Sequence, residues 1–159
     1  MLFRSSFAAA REKEYRNIVP PGWYNEDYHI LQTTKEETLI RAIRLGMDGA
    51  DIPVEFSKGE CGFGQAEINL RYADALTMAD RHVVYKNGVK EIAHQHGKSV
   101  TFMAKWDFVQ PGSSCHVHNS LWDAKTGKAV FHDPKGPNGM SKDRKSTRLN
   151  SSHGYISYA

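Results

Sequence analysis

The residues able to do chemistry gather in two short stretches of this chain. One is GSSCHVHNS, from Gly112 to Ser120, where His116 and His118 are separated by a single valine. The other is VEFSKGECGFGQAEINL, which carries Glu55, Glu60 and Glu67 around a turn containing Gly59, Gly62 and Gly64. Read as a strand, the first stretch projects His116, His118 and Ser120 from one face, and Cys115, Val117, Asn119 and Leu121 from the other. Side chains two positions apart leave the backbone about 6.6 Å from each other, so binding one ion with both imidazoles requires converging rotamers. It is at least as natural for one imidazole to ligate a metal while the other touches whatever that metal holds. Carboxylates with a histidine form a hard, oxygen-rich set suited to Mg2+ or Mn2+, and such sites complete their shell with water and substrate phosphate. Zinc fits less well. Cys115 points away from both histidines on a regular strand, and no CxxC spacing is present. The bland alternatives are structural histidines and solvated glutamates; the glycines, which permit close backbone approach and positive φ, favour a site.

Elements must hold these groups in place, and a chain of 159 residues has length for one domain. Pro20, Pro21, Gly22, Trp23, Tyr24 and Tyr28 mark an irregular connector. TTKEETLIRAIRLGMDGAD then reads as a helix, with Thr34 and Glu37 as a capping box and Leu39, Ile40, Ile43 and Met47 on its buried face. IPVEF is a short strand, and GQAEINLR alternates so that Ile68 and Leu70 oppose Glu67 and Asn69. Residues 73–97 allow two readings: Leu76, Ala79, Val83, Val89, Ile92 and Ala93 suit a helix, while Asn87-Gly88 is a hairpin signal. SVTFMAKW and SCHVHNSLW both alternate as strands.

Composition excludes several classes. Apolar residues at 40% and charged residues at 25% are ordinary for a soluble protein, and no stretch approaches the ~18 apolar residues of a membrane span. The N-terminus lacks the apolar block of a secretory signal, so the chain reads as cytoplasmic, with no membrane partner and with Cys61 and Cys115 as free thiols. The net charge of +3 resides in the tail: residues 142–159 hold four basic residues and one acidic, leaving 17 of each in the body. A neutral body offers little for counterion-release binding, so no nucleic-acid partner is expected. From Arg144 the tail resembles a translated cloning or library linker. Residues 143–159 are therefore expected to be a non-native, disordered tail on a single domain spanning 1–142.

VEFSKGECGFGQAEI resembles the carboxylate motif of glutamine synthetases, TFMAKW the strand that follows it, and GSSCHVHNSL the histidine motif, in the family's order and at about its spacing. The resemblance runs from about Leu2 to Lys142. HILQTTKEE and NLRYADALTMADRHVVYKNGVKEIAHQHG look like the branch that includes γ-glutamyl ligases for amines other than ammonia, which favours a helix for 73–97.

The resemblance implies an α/β (α+β) fold, a partial catalytic core with a mainly antiparallel curved sheet and outer helices. It implies that Glu60 and Glu67 ligate a divalent ion, Mg2+ or Mn2+, beside glutamate, and that His116 ligates the ion on the ATP phosphates. Glu55, Tyr72, His118 and Ser120 match nucleotide-site positions, and Gly112 lies in the loop that contacts glutamate. Pro111 stands where glutamine synthetases commonly carry Asn, a departure that bears on strict specificity for ammonia and glutamate. The implied partners are ATP, glutamate, ammonia or another amine, and further copies of the chain in a homo-oligomer. No base for the amine is visible. The family's Glu-x-Glu motif would fall just before Met1. Its phosphate-binding arginines, its flap and a further metal-binding Glu would follow Lys142. The 159 residues alone are therefore expected to be inactive. Two alternatives are a non-catalytic remnant that binds metal or nucleotide, and a cupin-like metal barrel, which would place a Glu soon after the HxH pair, where Asp123 is the nearest acid.

Overall fold

The structure, a computed structural model, describes residues 2–25, 27 and 29–142. Tyr28 and the tail 143–159 lie outside the described residues. The chain divides into two compact units, the first ending at Ser113 and the second beginning at Ser114.

The first unit holds β1 (Leu2–Phe3), α1 (Phe7–Glu12), α2 (Ile30–Lys35), α3 (Glu37–Gly49), β2 (Val54–Gly59), β3 (Ala66–Leu70), α4 (Ala75–Gln95) and β4 (Ser99–Val100). β1 pairs antiparallel with β4, and β2 with β3. The described strands form two two-stranded antiparallel sheets flanked by helices, an α/β arrangement with antiparallel strands as the resemblance implies.

Its core forms where the apolar face of α3 meets α4. Leu39, Ile40, Ile43 and Met47 bury together with Ile52, Val89, Ala93 and Val100, and half-buried Val54, Ala66, Ile68 and Leu70 pack against them from the β2–β3 hairpin. Each fully buried aliphatic side chain contributes roughly 1.5–3 kcal/mol, so this cluster fixes the hairpin on α3. Arg44 reinforces the junction, donating to Ser57 Oγ at 2.9 Å while pairing with Glu37.

Residues 75–95 are one helix, and Asn87-Gly88 lies inside it. Gly88 serves close packing rather than a turn: a Cβ there would come within 2.7 Å of Met47 Cε, and one on Gly46 within 2.7 Å of Ile92 Cδ1. Paired glycines let the two helices approach. Asp74 caps α4 by accepting from Thr77 N at 3.1 Å, and Gly97, at φ +65°, closes it.

Two local expectations differ from the structure. Thr34 belongs to the last turn of α2, where its hydroxyl and that of Thr33 donate to Ile30 O at 3.1 and 2.8 Å. Those hydroxyls bond back into their own helix, so the capping box does not form, and Glu36 stands at the start of α3. The strand expected over SVTFMAKW is confined to Ser99–Val100, and SCHVHNSLW is irregular. Alternation marks a candidate strand, but a ladder needs a neighbour, and among the described residues these stretches pair only at Ser99–Val100 and, through an isolated bridge, at Trp122.

In the second unit, bridges Trp122 to Ala129 and His132 to Met140 enclose two turns. Asp123 Oδ1 organises the first by accepting from Lys125 N, Thr126 N and Thr126 Oγ1 at 3.0, 2.7 and 2.8 Å. Pro137–Gly139 forms a 3-10 turn in the second.

Candidate functional site

The β2–β3 register sets Lys58 opposite Glu67 and Phe56 opposite Asn69. Lys58 and Glu60 are two residues apart and share a face, so the ammonium and both carboxylates converge on the side of the hairpin away from the core. Lys58 Nζ lies 3.2 Å from Glu67 Oε2 and also pairs with Glu60. Asn69 Nδ2 donates to Glu67 Oε1 at 2.8 Å. Hydrogen bonding with the Glu60 carboxyl group, then with Asn69 and Lys58, holds the Glu67 carboxyl at about 2, against partial burial. Burial opposes the charge on Lys58, yet its bonds to Glu60 and Glu67 raise its pKa.

Between the two glutamates the chain makes a tight loop. Glu60 N donates to Gln65 O at 2.9 Å, Gln65 N donates to Gly62 O at 2.9 Å, and Gly64 turns the backbone at φ +70°. Upstream, the register shift between Val54 and Phe56 makes Glu55 the extra residue of a bulge. The bulge turns Val54 inward against the core and leaves Glu55 exposed beside the hairpin. Tyr72 follows β3 and is 86% exposed. Gly112 also belongs to the first unit: a Cβ on it would stand 3.0 Å from Ala104 O.

His116, His118 and Ser120 lie in the second unit, in an exposed irregular segment rather than on a strand face. Ser120 Oγ accepts from Trp122 Nε1 at 3.1 Å. Taking the described residues of each unit by itself, no three His, Cys, Asp or Glu side chains converge to hold a metal. Asp123, whose carboxyl is kept below its usual range by the Thr126 and Lys125 bonds, is committed to its turn and does not serve as the acid of a cupin-like site. Among the described residues no helix is long and apolar enough to cross a membrane.

Lys58 and Gln65 join the site without having been singled out by residue type, and Asn69 was marked only by sharing a strand face with Glu67. Lys58 was discoverable from its place two residues before Glu60, once the hairpin register is known. Gln65 was marked only by its position between Gly64 and Glu67.

The family model of the glutamine synthetase catalytic domain matches residues 4–147. The chain belongs to the glutamine synthetase catalytic-domain family. Within that family it is 49% identical over 130 residues to a γ-glutamylethanolamide synthetase of Streptomyces coelicolor, covering 82% of this chain and 28% of the relative. It is 39% identical over 141 residues to a glutamate–isopropylamine ligase of a Pseudomonas species, covering 89% of this chain and 30% of the relative. The solved structure of apo GmaS superposes with a TM-score of 0.69 at 33% identity, over 76% of this chain and 28% of that one. A Plasmodium falciparum glutamine synthetase superposes with a TM-score of 0.63 at 28% identity, over 77% of this chain and 23% of that one. The chain thus spans less than a third of the length of each of these proteins. The resemblance to the γ-glutamyl-amine ligase branch is matched by the first two relatives.

Proposed function

We propose that residues 2–142 supply part of the catalytic core of an ATP-dependent ligase that joins the γ-carboxyl group of glutamate to ammonia or another amine. The observation that carries this reading is the convergence of Glu60 and Glu67 on one face of the β2–β3 hairpin around a resident positive charge, Lys58 Nζ. Two oxygen donors already arranged around a cation fit a hard divalent ion, so Glu60 and Glu67 would hold Mg2+ or Mn2+ beside glutamate. His116 is assigned to the ion on the ATP phosphates, and Glu55, Tyr72, His118 and Ser120 to the nucleotide, on the strength of the motif match. A bound divalent ion supplies charge neutralisation for phosphoryl transfer.

The reaction runs in two steps. A γ-carboxylate oxygen of glutamate attacks the terminal phosphorus of ATP, releasing ADP. The amine nitrogen then attacks the acyl carbon of γ-glutamyl phosphate, the C–O bond to phosphate breaks, and the amine gives up a proton. Gly112 is the chain's own contact to glutamate in this scheme. Pro111, together with one relative named for a γ-glutamylethanolamide product and one named for isopropylamine as the partner of glutamate, supports an acceptor other than ammonia. The working form is a homo-oligomer, and the 159 residues alone form no product.

A chimera tests the reading. Residues 2–142 replace the matching segment of the Streptomyces relative, and ADP and γ-glutamyl amide are measured over a panel of amines. Stoichiometric ADP, phosphate and amide are expected. A chimera that assembles like its parent but makes no amide, under conditions where the parent does, overturns the proposal.

A further inference from the structure

We infer that Gln65 is a positioning residue that ties the carboxylate loop to the Gly112 segment, an inference that rests on the ligase reading for its catalytic meaning. Gln65 is 7% exposed, a polar side chain buried between two pieces of backbone far apart in sequence. Its Oε1 accepts from Gly62 N at 2.9 Å, inside the Glu60–Glu67 loop. Its Nε2 donates to Gly112 O and to Ser113 Oγ, both at 3.0 Å, so each amide hydrogen has an acceptor. The main chain of the same residue accepts from Glu60 N and donates to Gly62 O. One residue therefore closes the carboxylate loop and reaches across to the segment assigned to glutamate.

Gly112 O and Ser113 N belong to one peptide group. Gln65 holds the oxygen end, and Ala104 O accepts from the Ser113 N–H at 2.7 Å, so both ends of that plane are fixed. A side chain at residue 112 would press on the same Ala104 oxygen at 3.0 Å, which keeps the peptide close to its anchor only while the residue is glycine. Glu60 and Gly112 are thereby set relative to each other through a single amide. A shift in either is transmitted to the other, because a buried amide left half-satisfied costs more than an exposed one.

The two halves of the amide can be separated. Gln65→Glu keeps an oxygen for Gly62 N–H but offers Gly112 O no donor; Gln65→Leu removes both functions. Amide hydrogen exchange is followed in the 159-residue chain. In Q65E, the Ser113 amide is expected to exchange about tenfold faster, the worth of one hydrogen bond, while Gly62 stays near wild type. In Q65L both accelerate, with α3 and α4 unchanged. Unchanged exchange at Ser113 in both variants overturns the inference. So does uniform acceleration across α3 and α4 in both, since Gln65 would then hold the fold rather than these two segments.

The catalytic meaning is read in the chimera. Q65E should raise KM for glutamate several-fold and leave KM for ATP little changed, and Q65E should recover as pH falls and the new carboxyl regains a proton to donate. An equal effect on both substrates refutes a positioning role toward glutamate. A parent chimera without product would remove the ligase reading, while the exchange result still decides whether the tie exists.

Discussion

Gly88→Ala sets two effects against each other at the contact that fixes α4 on α3. In a helix interior Ala is favoured over Gly by about 1 kcal/mol. Gly88 does not lie on an open face, however: a Cβ would fall 2.7 Å from Met47 Cε, where carbon pairs prefer about 3.5–4.0 Å. Met47 is only 3% exposed, so its terminal methyl cannot swing into solvent. Overpacking of this kind costs about 1–3 kcal/mol, leaving a net loss of roughly 0–2 kcal/mol. Met47→Leu is nearly volume-conserving and lacks the offending methyl. The double variant should therefore be more stable than the sum of the two singles by roughly 1–2 kcal/mol. Gly49→Ala is the control, because nothing lies within 4 Å of a Cβ there, and it should be neutral or stabilising by up to about 1 kcal/mol. Urea unfolding followed by far-UV circular dichroism measures the cycle. A Gly88→Ala deficit that is the same with and without Met47→Leu would refute the reasoning, since backbone geometry at residue 88 would then set the cost.

Ile43→Ala, at a residue 1% exposed, should cost about 2–5 kcal/mol in the same assay; a loss below about 1 kcal/mol would show that this cluster is not the core. The Arg44 hydrogen bond lowers the pKa of Glu37 below its ordinary 4.5. Its folded value lies under its unfolded one, so its stabilisation is present above that ordinary value and is lost as pH falls through the lowered one. The advantage of wild type over Glu37→Gln should accordingly shrink on acidification below pH 4.5, and a pH-independent difference would contradict the pairing. Lys58→Met removes the resident ammonium from between Glu60 and Glu67 and should strengthen Mn2+ binding, measured by electron paramagnetic resonance. Weaker binding would mean that Lys58 holds the carboxylates in place rather than competing for them.

Much of the scaffold was legible because burial imposes a period. Leu39, Ile40, Ile43 and Met47 recur at helical spacing and do form the core, and Ile68 and Leu70 alternate inward against Glu67 and Asn69. What composition could not resolve was whether Asn87-Gly88 turns the chain or lets a helix approach. The answer depends on Met47, forty-one residues before Gly88 in sequence, and between the helical spacing of the apolar residues and the hairpin signal only the family resemblance favoured the helix. The Thr34 capping box failed for the opposite reason: the local pattern was right in letter, but the hydroxyl found Ile30 O first. For the site, Glu55, Glu60 and Glu67 could be named from their residue types, yet that Glu60 and Glu67 converge while Glu55 stands apart depends on the register that sets Lys58 opposite Glu67 and on the bulge at residue 55. The reach of Gln65 to Gly112 is a tertiary contact with no local signal.

The most direct test of the account is to titrate the 159-residue chain with Mn2+ and map paramagnetic broadening of its amide resonances, with Glu67→Gln as the comparison. Broadening centred on Glu60 and Glu67 is expected, and it should disappear in Glu67→Gln. Broadening scattered over surface carboxylates, or a hairpin signal that survives the substitution, would contradict the assignment of the β2–β3 hairpin as a divalent-cation site.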